Sequence, residues 1–271
     1  MIISSKTDKG VVRPNNEDSL LTVPPWSSSA ITQKTCLFLV ADGMGGQNAG
    51  EVASKIAVNY TKEWFEKNKL DKLNIELVED LINSANEQIW NYSQKHPETV
   101  GMGTTFSIII IKDNKAIIGH IGDSRIYRLR DEKLTQLTND HSIVGEQVRL
   151  GKLTPNQARV HPARNLLSKV LGARQFIKAD IFETEINLND EFVLCTDGIY
   201  SMIDCEDIEQ LIKNTSPEDL ANVLINAANK AGGNDNSTVV AFKLDQVPVS
   251  FPARFSLTRI FKLLYNSYLK N

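Results

Sequence analysis

Residues 37–43 read Leu-Phe-Leu-Val-Ala-Asp-Gly, an unbroken apolar run that ends in an acidic residue and a glycine. Residues 192–198 repeat this design as Phe-Val-Leu-Cys-Thr-Asp-Gly. A run of this kind predicts a strand that is covered on both faces, and the glycine allows backbone or ligand to approach the acid closely. The two stretches therefore predict a buried sheet with Asp42 and Asp197 at its rim.

Other segments surround these two strands. Runs rich in valine, isoleucine and phenylalanine predict further strands at 104–112, 115–122, 125–130 and 237–244. Asp113 and Asn114 lie between two isoleucine-rich runs and predict a hairpin turn.

Three segments have helical periodicity. Apolar residues recur every four positions in 50–68 (Val52, Ile56, Tyr60 and Trp64) and in 76–94, and a third helix is predicted at 219–231. The order of strands and helices favours an α+β fold, an antiparallel sandwich flanked by helices, over a regular βαβ alternation.

Composition excludes several classes of protein. The chain has 271 residues, 41% hydrophobic and 23% charged, which is ordinary for a globular protein and excludes a fibre or a disordered chain. The net charge of −3 argues against a surface that binds nucleic acid through bulk positive charge. With three cysteines, no signal-like N-terminus and no apolar run of ~20 residues, we expect a cytoplasmic protein in a reducing compartment.

Two regions differ from the predicted core. Residues 139–172 combine short helical pieces with scattered polar residues and predict an appended flap, with Thr154 and Pro155 at a helix start. After a linker at 245–252, residues 253–271 predict an amphipathic helix with Arg254, Arg259, Lys262 and Lys270 and no acidic residue. Such a helix can pack on its own domain, bind a partner or lie on an anionic membrane surface.

Acidic residues recur beside the predicted strands. Asp123 stands between two strands, Asp235 precedes the last one, and Glu17-Asp18 follows Arg13-Pro14. A lone Asp-Gly pair is typical of a turn. If several of these carboxylates converge, however, they must protonate or be neutralised by cations, and an all-oxygen ligand set selects Mg²⁺ or Mn²⁺.

Two such ions about 4 Å apart can lower the pKa of a water and direct it at phosphorus. Arg13 suits this chemistry because a guanidinium binds two phosphate oxygens, although a surface role is the ordinary reading of a single arginine. Other phosphatase chemistries are excluded: no arginine lies six residues after Cys36, Cys195 or Cys205, and no Gly-Lys-Ser/Thr loop is present.

The chain resembles the metal-dependent protein serine/threonine phosphatases of type 2C, in particular their compact bacterial branch. The resemblance extends from about residue 8 to 244, and the motifs occur in family order at 13–18 (Arg-Pro-Asn-Asn-Glu-Asp), 42–46 (Asp-Gly-Met-Gly-Gly), 101–105 (Gly-Met-Gly-Thr-Thr), 122–125 (Gly-Asp-Ser-Arg), 196–198 (Thr-Asp-Gly) and 234–238 (Asn-Asp-Asn-Ser-Thr). It implies a central antiparallel β-sandwich with a pair of antiparallel helices on each side (a four-layer αββα arrangement), and it matches 139–172 to a mobile flap.

The resemblance also implies a role for each site residue. Asp42 would bridge two metal ions, Asp197 and Asp235 would complete the ligands of the first, and Glu17 and the Gly43 carbonyl would hold the second. Asp18 would hydrogen-bond metal-bound waters, Asp123 with Asp197 would bind a weaker third ion, and Arg13 would clamp the substrate phosphate.

The general acid departs from the eukaryotic pattern. Met44 stands where eukaryotic relatives often have a histidine. His120 and His141 are the nearest alternatives, but for both we favour a structural role. A water on the third ion, near Asp123, is the preferred donor.

The implied substrates are phosphorylated proteins, and the implied opponent is a bacterial eukaryotic-type Ser/Thr kinase. We expect a monomer. A catalytically silent metal-bound module and a phosphoesterase for small molecules remain as alternatives, although no ligand of the family set is missing.

Overall fold

The structure is a computed structural model, which describes residues 1–24, 35–45, 49–68, 70 and 73–245. Two antiparallel sheets form its centre. The first has five strands in the order β1 (Ile2–Asp8), β11 (Ser237–Lys243), β10 (Glu191–Cys195), β7 (Arg125–Arg130) and β8 (Lys133–Gln136). The second contains β2 (Asp18–Val23), β3 (Thr35–Met44), β5 (Phe106–Lys112), β6 (Lys115–Ile121) and β9 (Asp180–Glu185), and the short β4 (Gly103–Thr104) pairs with the end of β3.

Strand β3 is covered on both faces. Phe38 and Val40 lie between the two sheets, where Phe38 stacks on Phe242 with 4.1 Å between ring centroids. Leu37 and Leu39 point the other way, toward the helices, and all five side chains are fully buried. Because side chains alternate along a strand, an unbroken apolar run fills both layers, as the sequence predicts.

Helices cover the outer face of each sheet. α1 (Ala49–Lys67) and α2 (Ile75–Lys95) pack on the second sheet, and α6 (Cys205–Asn214) and α7 (Leu220–Lys230) pack on the first. A short helix, α5 (Asp197–Tyr200), follows β10 directly. The predicted α+β sandwich with a helix pair on each side is confirmed.

The buried face of α1 differs from the predicted stripe. Trp64 is buried as expected, but three members of that stripe are only half-buried: Val52, Ile56 and Tyr60. Ala53 and Ala57 are fully buried instead, with no solvent-accessible surface. Small residues on the buried face let the helix lie close to β3, so the larger residues pack at the margin.

The strands that the sequence analysis missed share one position. β1, β2, β8 and β9 are the edge strands of their sheets, and most of their residues are half-buried or exposed. The predicted strand at 104–112 is divided at Thr105, whose amide donates to the Asp42 carbonyl at 2.8 Å. Helix α6 was also missed.

The segment predicted as a flap lies between β8 and β9. It contains α3 (Ile143–Arg149) and α4 (Pro155–Arg159), and Thr154 begins α4 with a capping box. No helix in the described ranges is long and apolar enough to cross a membrane. The predicted tail helix at 253–271 lies outside the described residues, as does the linker beyond Asp245.

Candidate metal centre

Acidic residues from five separate places meet at one end of the sandwich. Asp18 begins β2 and is paired in register with Asp42 near the end of β3. Asp197 is the first residue of α5, Asp123 follows β6, and Asp235 precedes β11. The electrostatic effect of each carboxylate on its neighbours places all five in one cluster.

The backbone around Asp42 is fixed by hydrogen bonds. Its amide donates to the Thr105 hydroxyl at 2.8 Å, and its carbonyl accepts from the Thr105 amide at 2.8 Å and from the Thr104 hydroxyl at 2.9 Å. Because both main-chain groups are bonded, the Asp42 carboxylate has a defined direction into the cluster.

Gly43 is required by a close approach of backbones. A Cβ at this position would lie 2.1 Å from the Gly50 carbonyl oxygen at the start of α1 and 2.5 Å from the Glu17 carbonyl oxygen. The Gly43 amide donates to that same Glu17 carbonyl at 3.2 Å. A larger residue would therefore push the Glu17 loop and helix α1 away from the cluster.

Asn236, a residue that the sequence patterns do not single out, fastens the loop that carries Arg13 and Glu17. Its side-chain amide donates to the carbonyls of Lys9 at 2.9 Å and Asn15 at 2.8 Å, and its Oδ1 accepts from the Glu17 amide at 2.8 Å. The signal was present, because Asn236 follows Asp235 directly in the last motif. Its partners, more than two hundred positions away in the chain, could not be read from the sequence.

Burial and mutual repulsion raise the pKa values of the clustered carboxyls. Burial raises the pKa of Asp18 and of Asp197 to about 7, with the charge of Asp235 acting in the same direction. The pKa of Asp42 is raised well above its ordinary value, first by burial and then by the charges of Asp18 and Asp197. Burial and the charge of Asp197 raise the pKa of Asp123 to about 8. Ionising all of these groups at neutral pH therefore requires a compensating positive charge.

Two carboxylate oxygens in the cluster are buried without a hydrogen-bond partner, Asp18 Oδ1 and Asp197 Oδ1. Buried polar atoms almost always have a hydrogen-bond partner, so these two exceptions call for an explanation. A bound cation would supply the partner that each oxygen lacks. The donors are all oxygens, which suits Mg²⁺ or Mn²⁺ rather than zinc. The residues therefore fit the divalent ions that the family resemblance implies.

Some site residues bond one another in the described conformation. Arg13 Nη2 donates to Asp235 Oδ2 at 2.7 Å, and the Thr196 hydroxyl donates to Asp18 Oδ2 at 2.8 Å. Within the described ranges, no three His, Cys, Asp or Glu side chains form a ready ligand group. Arg13 therefore occupies Asp235 Oδ2 in this conformation, and its exposed position would let it turn away if Asp235 bound a cation.

Comparison with known proteins resolves the family. The model of the family "Protein phosphatase 2C" matches residues 15–236. The chain belongs to the protein phosphatase 2C family. The serine/threonine phosphatase stp of Listeria monocytogenes serotype 4b is 35% identical over 246 residues, which cover 89% of this chain and 94% of the relative.

Solved structures of the 2C family agree in fold. Stp1 from Staphylococcus aureus has a TM-score of 0.82 at 31% identity and covers 91% of this chain and 96% of its own. The catalytic domain of the phosphatase PstP in complex with two manganese ions has a TM-score of 0.78 at 32% identity, with coverage of 90% and 98%. The predicted family, enzyme class and fold class are confirmed.

Two histidines and one cysteine near the cluster are held by burial and by other contacts. His120 is fully buried between the Ser107 hydroxyl (2.8 Å) and the Asn139 carbonyl (3.0 Å), and burial lowers its pKa to about 4. His141 Nδ1 accepts from the Gly122 amide at 3.2 Å. Burial raises the pKa of Cys195 to about 12, so this thiol is not a nucleophile at neutral pH.

Proposed function

We propose that this 2C-family phosphatase hydrolyses phosphoserine and phosphothreonine in proteins with two divalent cations bound at the carboxylate cluster. The observation that carries the proposal is the cluster itself: five buried or half-buried aspartates, in four of which (Asp18, Asp42, Asp123 and Asp197) burial and neighbouring carboxylates raise the pKa. The PstP catalytic domain in complex with two manganese ions supports manganese as one of the ions. Magnesium is the second candidate because it prefers the same oxygen ligands.

We assign the ligands as the family resemblance implies. Asp42 would bridge the ions, Asp197 and Asp235 would complete the first site, and Glu17 with the Gly43 carbonyl would form the second. Asp18 would accept hydrogen bonds from metal-bound water. When bound, the ions would supply a water of lowered pKa directed at phosphorus; its attack would break the P–O bond to the serine or threonine oxygen and release the alcohol and inorganic phosphate, with no phosphoenzyme intermediate.

Arg13 orients the substrate. Its guanidinium is about half exposed, with 49% of the side-chain surface accessible, and it forms an ion pair with Asp235. A phosphate oxygen can replace that carboxylate, because a guanidinium binds either anion through the same pair of N–H groups. If phosphate took this place, Asp235 would lose its Arg13 partner and could bind a cation.

The leaving alcohol must receive a proton, and we place this step on the side of Asp123. Asp123 and Asp197 line a cavity of about 360 Å³ between the cluster, the flap and α6. A weaker third ion at Asp123 and Asp197 is part of this proposal. Met44 has no titratable group, and neither His120 nor His141 is among the residues that line this cavity.

Peripheral surfaces determine which phosphoproteins bind. Six basic residues belong to or border the flap, but three of them are paired with acids: Arg149 with Glu146, Arg159 with Asp204, and Lys169 with Asp180. The remaining positive charge, on Lys152, Arg164 and Arg174, still favours acidic phosphopeptides. We also propose that the enzyme is a cytoplasmic monomer that opposes a eukaryotic-type Ser/Thr kinase and does not bind nucleic acid.

The test is release of phosphate from a phosphothreonine peptide with Mn²⁺, with and without chelator. The same measurement on Asp42→Asn and on a nucleotide substrate separates the alternatives. Asp113→Asn is the matched control, because Asp113 lies in a hairpin turn with a φ of 54° that asparagine also tolerates. Activity in chelator, or equal activity in Asp42→Asn, overturns the metal mechanism, and a preference for the nucleotide overturns the protein substrate.

A further inference from the structure

The guanidinium group of Arg125 forms hydrogen bonds with two other side chains. It begins β7, two positions after Asp123, and its Nε and Nη2 atoms bind Asp140 at 3.0 Å (Oδ1) and 2.7 Å (Oδ2). Its Nη1 atom donates to the Tyr127 hydroxyl at 3.0 Å. All three guanidinium nitrogens are therefore bonded, and Asp140 lies at the start of the flap.

The face of the same guanidinium lies on an aromatic ring. The Arg125 Cζ atom is 3.6 Å from the centroid of the Tyr200 ring, a cation–π contact. The Tyr200 hydroxyl donates to the main-chain oxygen of Asp123 at 3.0 Å. Tyr200 is the last residue of α5, the helix that Asp197 begins. Arg125 thus joins the flap start, the Asp123 segment and the Asp197 helix.

We propose that Arg125 is a positioning residue that, together with Tyr200, holds Asp123 and Asp197 at the spacing that a third divalent ion requires. The inference rests on the proposed function and goes beyond it, because neither residue touches the reacting atoms. Like charges on Asp123 and Asp197 push the two segments apart. The segment around Asp123 lies between β6 and β7, outside the strand ladders, and the hydrogen bond from the Tyr200 hydroxyl links its main chain to α5.

Arginine is required for this role. A lysine carries the same charge, but its ammonium group is not planar. It cannot donate side by side to both Asp140 oxygens and also lie flat on the Tyr200 ring. Arg125→Lys therefore keeps the local charge and removes the geometry. Tyr200→Phe is the complementary change, because it removes the hydroxyl bonded to Asp123 and leaves the ring beneath Arg125.

The same strand provides a matched control. Arg130 at the other end of β7 makes an equivalent pair with Asp190, with Nε to Oδ1 at 2.7 Å and Nη2 to Oδ2 at 2.6 Å. Asp190 is buried, and its contacts are with Asn187 and the end of β11 rather than with the cluster. Arg130→Lys therefore tests the loss of a bidentate pair without a change near Asp123.

The experiment titrates Mn²⁺ into wild type, Arg125→Lys, Tyr200→Phe and Arg130→Lys by calorimetry without substrate, and then measures the Mn²⁺ dependence of phosphopeptide hydrolysis. We expect two tight sites in every protein. The weakest site should bind about ten- to a hundredfold less tightly in Arg125→Lys and Tyr200→Phe, the range typical of residues that orient metal ligands. Arg130→Lys should lower the melting temperature and leave the Mn²⁺ dependence unchanged.

The outcomes separate this inference from the proposed function. Equal Mn²⁺ dependence in Arg125→Lys and Arg130→Lys, or a wild-type titration with only two sites, overturns the positioning role. If Arg125→Lys does not fold, Tyr200→Phe decides, because it keeps the ion pair. If Arg125→Lys and Tyr200→Phe weaken the weakest Mn²⁺ site but the wild-type protein hydrolyses no phosphopeptide, the positioning role is supported and the proposed function is overturned.

Discussion

Asp18 and Asp42 lie directly opposite each other across the β2–β3 ladder, although one residue begins its strand and the other lies near the end of its strand. Antiparallel pairing places such residues side by side, with Cβ atoms about 5 Å apart. Two carboxylates at that spacing below the surface repel each other. This pair explains why the metal-free cluster is electrostatically unfavourable at neutral pH and why cations stabilise it.

Asp42→Asn should have opposite effects on stability and on activity. Removing the charge relieves the repulsion with Asp18 and Asp197, so the chelated variant should melt at or above the temperature of chelated wild type. Mn²⁺-dependent hydrolysis should fall by about a hundredfold or more, because a direct ligand matters at least as much as its outer partners. Melting curves with and without Mn²⁺ check both effects, and a large Mn²⁺-induced rise in the variant would contradict the bridging role.

The stability of the chelated protein should fall as the pH rises. The folded pKa values of Asp18 and Asp197 (about 7) and Asp123 (about 8) lie above the unfolded value of about 4. The folded state therefore holds more protons, and this contribution is complete below about pH 4 and lost as the pH passes 8. Urea midpoints in chelator at pH 5, 6, 7 and 8 should decrease in that order. Saturating Mn²⁺ should flatten the trend, and a rise with pH in chelator would exclude the crowded cluster.

His120 should contribute stability with the opposite dependence on pH. Its folded pKa of about 4 lies below the unfolded value of about 6.5, so its contribution is present above pH 6.5 and is lost as the pH falls through 4. The difference in unfolding free energy between wild type and His120→Gln should therefore shrink by on the order of 3 kcal/mol from pH 7 to pH 4. His96→Gln, at a position where 42% of the side-chain surface is accessible, is the control. A pH-independent difference would mean that His120 already carries a proton in the folded state.

Arg13→Ala should weaken substrate binding without weakening metal binding. The lost charge-assisted hydrogen bonds are worth roughly 1.5–3 kcal/mol, which corresponds to about a ten- to hundredfold decrease in kcat/KM. Mn²⁺ affinity should stay equal or increase, because Asp235 loses its partner at 2.7 Å. Steady-state kinetics and calorimetry measure the two effects separately. Weaker Mn²⁺ binding in the variant would instead make Arg13 part of the metal site.

Asn236→Ala should release the loop that carries Arg13 and Glu17. The substitution leaves the Glu17 amide and two loop carbonyls without a partner, at roughly 1–3 kcal/mol for each buried group that water cannot reach. Thermal unfolding should shift down, and KM for the phosphopeptide should rise more than kcat falls. The neighbouring exposed residue gives the control Asn234→Ala, which should change neither quantity. Equal effects of the two substitutions would remove Asn236 from the site.

The central strands were predictable because their residues are apolar whichever way they point. β3 and β10 fill both layers of the sandwich, so their sequences carry a continuous signal. The edge strands β1, β2, β8 and β9 carry no such signal, since half-exposed positions accept polar residues. The stripe predicted on α1 packs against the core but is only partly buried apart from Trp64, because the closeness of the helix to the sheet places the small residues Ala53 and Ala57 at the centre of the buried face.

The sequence by itself determined which groups are candidates for the chemistry (the acids beside the strands and the glycines next to two of them) and the family to which their order belongs. Tertiary structure alone decided what holds those groups in place, namely Asn236 on the Glu17 loop, Thr196 on Asp18, and Arg125 with Tyr200 on Asp123. The physical reason is that a carboxylate is recognisable from its own identity. A hydrogen bond between residues far apart in the chain exists only after the two sheets have brought them together.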